Sequence, residues 1–394
     1  MTESYTLPDG LKTGVRNVLV GVAVAGWAGC AVAWSSAPAR FSASYLVAFV
    51  FFLTLALGAL FFVMLQHLTG SAWSVTMRRI AETVMATLPA GLVLFVPIAL
   101  NLGSLYEWAR PEAVAHDPVL QGKAAFLNPQ FFLIRVVAYF ALWSLWALRL
   151  YRNSAAQDGA PSLARAQSSE RWSAPGMLIL TVTTALASFD WLMSLDPHWY
   201  STMFGIYIYS GAVLAFFAAL ALILMAFRGA GVLRGAVNHE HFHDLGKWIF
   251  GLTVFWAYIA FSQYMLIWYA NLPEETVWYR DRLIGSWRTV GAVLVVGHFI
   301  VPFLVLVSRA AKRRLGILGA AAAWILAMHY TDLYWIAMPV FSPKGFAPSW
   351  IDLAALAAVG ATFGLVFWLR LERRAIAPVG DIRFERSLEF TNVF

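Results

Sequence analysis

Charge is scarce in this 394-residue chain, where 28 Lys and Arg and 21 Asp and Glu make up only 12% of the residues. Soluble domains carry about 25% charged residues, so too few are present here to wet the outside of a globule this size. Hydrophobic residues fill the deficit at 60%, and the mean hydropathy is +0.68. Cysteine is scarcer still. The single thiol, Cys30, excludes an internal disulfide, a CxxC redox pair, a Cys-ligated iron–sulfur cluster and a CxxCH haem c attachment site. It lies in an Ala/Gly/Val run, where a small packed residue is expected. There is no GxxxxGK[ST] phosphate loop, no HExxH motif and no Rossmann fingerprint, and Gly229, Gly231 and Gly235 fall in a loop. The N-terminal stretch to Val15 contains Glu3 and Asp9 and lacks a basic region and a cleavage site. It reads as a short tail rather than a signal peptide.

What is present is apolar helical sequence. About 20 mainly apolar residues cross a bilayer core, and ten such segments occur, at 15–34, 44–65, 83–103, 131–149, 175–195, 203–226, 246–268, 288–309, 315–338 and 350–370. The 18 Trp, 29 Phe and 14 Tyr suit membrane interfaces. The expected fold is therefore all-α, a polytopic membrane bundle of about ten transmembrane helices forming one domain. The longest connections are 104–130 and 150–174, and the second, rich in Ala, Ser, Gln and Arg, reads as a flexible solvated loop. With ten spans, 20 of the 28 Lys and Arg fall on the side of the termini and 8 on the other. That bias predicts cytoplasmic termini, and it explains the net charge of +7 without a nucleic acid partner.

Ionisable groups inside spans are costly and default to functional candidates. On helix 5, Thr183, Asp190 and Ser194 share one face, and Asp196 and His198 follow at the turn, where Asp196 is expected to cap the turn or helix 6. Helix 7 starts after Asn238-His239-Glu240-His241-Phe242-His243-Asp244. Its histidines lack a third ligand on one face, so a helix start with Asp244 at the favourable dipole end is expected rather than a metal site. Gln263 lies further along, and Pro273 ends the helix. His298 sits mid-helix 8, while His329 and Asp332 share a face of helix 9. Asp190, Gln263, His298, His329 and Asp332 fall at central or outer depth, which predicts one polar, outward-opening, proton-carrying cavity. Gln66 and His67 are inner candidates. No helix has the paired histidines of a four-helix haem b site, leaving His298 with His329 as the one possible pair. The chain therefore shows no redox chemistry of its own. Alternatives are direct quinol binding, with His298 or His329 accepting a proton and Tyr264 and Trp268 lining the headgroup pocket, and a standalone secondary transporter, which would favour broken midplane helices in both halves.

Two runs resemble a known family. They are Ser188-Phe189-Asp190-Trp191-Leu192-Met193-Ser194-Leu195-Asp196-Pro197-His198-Trp199, and Asp244-Leu245-Gly246-Lys247 followed by Phe261-Ser262-Gln263-Tyr264-Met265-Leu266-Ile267-Trp268-Tyr269-Ala270-Asn271-Leu272-Pro273-Glu274-Glu275. They are similar to the ActF-type membrane subunit of alternative complex III, a bacterial quinol:electron acceptor oxidoreductase, within the polysulfide reductase membrane-subunit family. The resemblance implies a multi-pass subunit of the bacterial inner membrane, partnered by a homologous ten-helix subunit, a periplasmic iron–sulfur subunit and haem c subunits. It implies that the redox centres sit in those partners and that this subunit conducts protons or acts as a scaffold. It also implies two four-helix bundles, helices 2–5 and 6–9, an arrangement that sets Asp190 apart from the groups on helices 7 to 9.

Overall fold

In the computed structural model, which describes residues 5–391, the chain is helical, with no strand among the described residues. Glu3 lies outside them. Ten long helices follow one another: α1 (Asp9–Ser36), α2 (Pro38–Leu68), α3 (Val75–Leu100), α4 (Pro129–Ala155), α5 (Leu163–Trp191), α6 (Phe204–Gly229), α7 (His239–Ala270), α8 (Gly285–Leu306), α9 (Leu315–Phe341) and α10 (Trp350–Leu371). Nine of these, all but α9, are long and apolar enough to cross a membrane. Helix α9 matches them in length, at 27 residues, but His329, Tyr330, Thr331 and Asp332 interrupt its apolar run.

The helices sort into two groups of four. Helices α2 to α5 pack together, as do α6 to α9, and the groups meet where α2 lies against α6 and α9 and where α5 lies against α6. Helix α1 pairs with α10, which leans on α2. Small residues set these crossings. The Gly26 backbone abuts Ala357 and Ala358, and a Cβ on Gly58 would strike the Ala212 carbonyl at 2.5 Å. Burial follows position, since the apolar window of α2 is 83% buried and that of α1 only 22%. An all-apolar helix such as α2 belongs inside, whereas α1 presents valines outward.

Two expected boundaries move furthest, the starts of α3 and α5. Helix α3 begins at Val75, well before 83, because Arg78, Arg79 and Glu82 are neutralised within the protein. Arg78 pairs with Glu82 at 3.0 Å and with Asp381, while Arg79 pairs with Glu82 at 3.1 Å and Asp158 at 2.7 Å. The helix breaks near Pro89 and Pro97, each of which removes a backbone donor. The expected flexible loop 150–174 is instead mostly helix. Helix α4 runs to Ala155 and α5 starts at Leu163, capped by Ser162. Asn153 holds the two together through the Arg165 carbonyl at 2.7 Å and Ser169 at 2.6 Å. Ala, Gln and Arg are good helix formers, so low hydropathy there marked the end of the apolar run and not of the helix.

Helix α7 starts on an Asn238–His241 capping box and stops at Asn271, a left-handed residue before Pro273. Helix α8 contains a π-helical turn, Val295–Ile300. The interrupted helices α3 and α8 hold different places in their groups, second in one and third in the other. The Ile376 amide donates to the Tyr5 carbonyl at 2.8 Å, so the segment before α1 and the segment after α10 meet at one end of the bundle.

Candidate functional site

Each four-helix group encloses one buried aspartate. In the first, Arg135, Tyr139 and Trp143 recur every four residues on α4 and so form a ladder. They face the predicted Thr183/Asp190/Ser194 stripe of α5. Arg135 grips Asp190 through two nitrogens, at 2.9 and 2.8 Å, and Tyr139 donates to it at 2.8 Å. Trp143 donates to Thr183 at 2.8 Å, and Ser194 to the Asp190 carbonyl at 2.5 Å. The guanidinium packs against the Phe126 and Phe131 rings, 3.9 and 4.4 Å from their centroids. Asp190 is therefore a fully compensated ion pair with bidentate geometry.

In the second group, Asp332 on α9 accepts from the Tyr207 hydroxyl of α6 and from Trp256 Nε1 of α7 at 3.3 Å. No cation bonds it among the described residues. One turn away, His329 Nε2 lies 2.9 Å from Thr54 Oγ1 of α2, joining the two groups. Gly211 makes room for this ring, because a Cβ there would sit 3.1 Å from it. His298, in the π turn, packs tilted against Trp256 with centroids 3.9 Å apart. Among the described residues, both its ring nitrogens and His329 Nδ1 are buried without a partner. The single cavity expected from the sequence is thus divided. Asp332, His329 and His298 converge through Trp256, whereas Asp190 belongs to a separate dry pair in the other bundle.

A cavity of about 740 Å³ opens beside the Asp332 group. Helix α7 packs on the π turn and on Val301–Leu306 of α8, and the cavity occupies the space where the helices part toward Gly285–Leu294. Small residues form its walls, Ala257 and Ala260 on α7 and Gly291 and Ala292 on α8. Its polar edge carries Gln263, Tyr264, Tyr279 and Arg288, and Tyr207 and Trp256 line it on the side of Asp332. Gln263 accepts from Ser201 at 3.3 Å and donates to Tyr279 at 3.2 Å. Trp335, 8% exposed, also lines the cavity, and its Nε1 has no partner. Of the proposed quinol-contacting residues, Tyr264 lines this space. Trp268 is 65% exposed and lies outside it, and His298 and His329 are not in its walls.

The remaining candidates sit at the bundle's ends. Asp196 does not cap α6, whose N-cap is Met203; it ends the short 3-10 turn Met193–Leu195, and its carbonyl accepts from the Trp199 amide at 3.1 Å across the turn at Pro197. It lies half-buried in the turn after α5, and that burial holds its carboxyl above the usual range, opposed by nearby Arg282. Arg282 is buried against the Trp278 ring at 3.6 Å and donates to the Trp278 and Ile336 carbonyls at 3.0 and 2.6 Å. Exposed His198 meets Asp117 at 2.6 Å. At the opposite end Gln66 and His67 are buried, with His67 Nε2 unpartnered. His241 serves the α7 cap, and His243 lies 3.9 Å from Glu240. Among the described residues no group of three or more His, Cys, Asp or Glu could hold a metal ion. Cys30 is a buried packing residue on α1.

Sequence reasoning passed over Tyr207, Thr54, Arg135, Tyr139 and Trp335. The four-residue spacing of the α4 ladder was the one available signal. The others are ordinary aromatic or hydroxyl residues made polar partners only by packing.

Helices of this length and apolarity around buried polar groups define a multi-pass membrane protein. No protein-family model matches the chain, and no curated protein matches it either.

Proposed function

We propose that this chain is a membrane subunit of a quinol:electron acceptor oxidoreductase of the alternative complex III type. In this reading it spans the bacterial inner membrane ten times with cytoplasmic termini and carries no redox centre of its own. Haem c and iron–sulfur clusters sit in partner subunits beside a homologous ten-helix subunit. The sequence runs around Asp190 and Gln263 support the family, and the placement of Lys and Arg supports the orientation. The observation that carries a protonic role is Asp332, a buried carboxyl bonded by two neutral donors and flanked by imidazoles with free nitrogens. Buried polar atoms without protein partners call for water, and a hydrated carboxyl between a tyrosine hydroxyl and imidazoles can take up and release a proton.

Two measurements test this. Affinity purification of the tagged chain in mild detergent is expected to bring down haem c, visible in the absorption spectrum, and a second ten-helix protein; their absence would sink the family assignment. In the assembled complex, Asp332→Asn is expected to lower proton release on quinol oxidation several-fold with assembly intact. Unchanged release would leave a scaffold.

A second reading is favoured by the α7/α8 cavity, which suits a flat, lipid-soluble headgroup. Its volume falls in the range of ligand sites, roughly 300–1,000 Å³. Trp335 Nε1 offers a donor to a carbonyl, and Tyr207 connects the cavity to Asp332 in place of the histidines. Filling it by Ala260→Phe is expected to abolish labelling by a photoreactive quinone analogue, and undiminished labelling would rule the cavity out.

A further inference from the structure

At the arginine-rich end of the bundle, far along α6 and α9 from Asp332, a groove of about 660 Å³ lies between the close of α6 and the opening of α9. It is lined by Met225, Arg228, Gly229, Arg234, Leu315 and Gly316. Most strongly buried charge at this end is matched: Arg78 and Arg79 have their carboxylates, and part-exposed Arg313 has Glu240. Arg228 and Arg234 are different. Among the described residues neither pairs with an acid, and both bond only to backbone carbonyls. Arg228 Nη1 donates to the Val237 carbonyl, and Arg234 Nε donates to the Arg228 carbonyl at 3.2 Å.

Those bonds fix each guanidinium to backbone at the groove and leave their remaining N–H groups for another acceptor. The turn between them is built for this. Gly231 has φ +84°, and Leu233, a branched residue whose side chain is buried, has φ +61°. A left-handed leucine is costly and persists only where its surroundings fix it. Here it folds the chain back and places Arg234 beside Arg228. Above Gly229 and Gly316 nothing lies within 4 Å of where a side chain would begin. Met225 and Leu315 supply an apolar floor.

We propose that this groove binds the phosphate of an anionic phospholipid. Arginine's planar fork suits phosphate oxygens, and basic pockets between membrane helices at the positive side recognise anionic headgroups. The floor is the reason for a lipid over a soluble phosphate, since methionine and leucine offer nothing to a free ion but accept glycerol and the first acyl methylenes. This proposal is independent of the quinol reading.

The test uses the full chain in neutral detergent micelles, with unfolding temperature followed as phosphatidylglycerol, phosphatidylcholine or inorganic phosphate is added. Phosphatidylglycerol is expected to raise it by several degrees, and the other two are not. Arg228→Gln combined with Arg234→Gln is expected to remove at least half of that shift. Because Arg228 also holds the turn, Gly316→Asp serves as a second variant. An acid in the first turn of α9 suits the helix dipole and has open space, so the lipid-free protein should unfold no earlier while the phosphatidylglycerol shift disappears. No shift in the unmodified chain, an equal shift in both variants, or an equal shift with inorganic phosphate alone would each overturn the proposal.

Discussion

The two buried aspartates, one in each four-helix group, have opposite surroundings. Asp190 meets a guanidinium through two nitrogens and a tyrosine hydroxyl, with two phenylalanine rings packed against the arginine. Asp332 meets a hydroxyl and an indole N–H and no cation, next to two histidines with unused nitrogens. On the proposed reading, the difference separates a structural acid from a proton-handling one. A carboxylate locked to arginine has its charge balanced in place and gains nothing from proton exchange. A carboxyl whose charge no residue balances has two protonation states that neighbouring groups can serve. The acid inside the Ser188–Trp199 run is thus the ion-paired one, and Asp332, outside both runs, is the one without a cation among the described residues.

The largest effect is expected from Asp190→Asn. It leaves Arg135 buried without its partner, which costs about 3–5 kcal/mol, and should appear as a collapse in unfolding temperature or failure to accumulate in the membrane. Adding Arg135→Gln should restore much of that loss, because the penalty belongs to the stranded charge. If the double variant is no better than the single, the pair is not the coupled unit described.

Asp332→Asn should behave in the opposite way. The amide still accepts from Tyr207 or Trp256, so stability should change by about 1 kcal/mol or less, while proton release falls several-fold. Equal destabilisation by Asp190→Asn and Asp332→Asn would erase the contrast.

The seam between the bundles is a weaker link. Thr54→Val removes the bond to His329 and should cost on the order of 0.6 kcal/mol, the usual size for an interhelical hydrogen bond in membranes. A larger loss measured by thermal unfolding would mean that the two groups do not stand alone.

The smallest effect concerns the exposed Asp117–His198 contact. The hydrogen bond from His198 holds the Asp117 carboxyl below its ordinary value of 3.8, opposed by slight desolvation and helped by the Leu120 and Val119 amides. A lowered acid stabilises the fold above its unfolded pKa, and that contribution is lost as pH falls through the lowered value. Asp117→Asn should therefore lower the unfolding temperature slightly near neutrality, with the difference from the unaltered chain fading below about pH 4, so that the acid limb is flatter. An unaltered acid limb would show the contact to be inconsequential.

Much of the fold was legible because membrane helices announce themselves by composition. Six of the ten expected segments lie within observed long helices, and the other four overrun an end by only a few residues (83–103 past Leu100, 175–195 past Trp191, 203–226 ahead of Phe204, 288–309 past Leu306). Boundaries failed where helices leave the apolar zone. Arg78, Arg79 and Glu82 looked like loop charge and are buried helix, because their partners Asp158 and Asp381 are remote in sequence. The site was half legible. His329 and Asp332 on one face of α9 were visible at their spacing, and so was the Asp190 stripe. That Asp190 faces an arginine of α4 while Asp332 faces a tyrosine of α6 was not.

By itself, then, the sequence determined that the chain is a bundle of apolar helices, which residues interrupt them, and which end gathers the positive charge. Those properties depend on composition and on periods of a few residues. Tertiary structure alone decided which acid is paired, which histidines are left open, where α7 and α8 part, and which arginines lack carboxylates. Each depends on which helix faces which, and that is settled by small-residue crossings such as Gly58 on Ala212 and Gly211 under His329, contacts between residues more than a hundred positions apart.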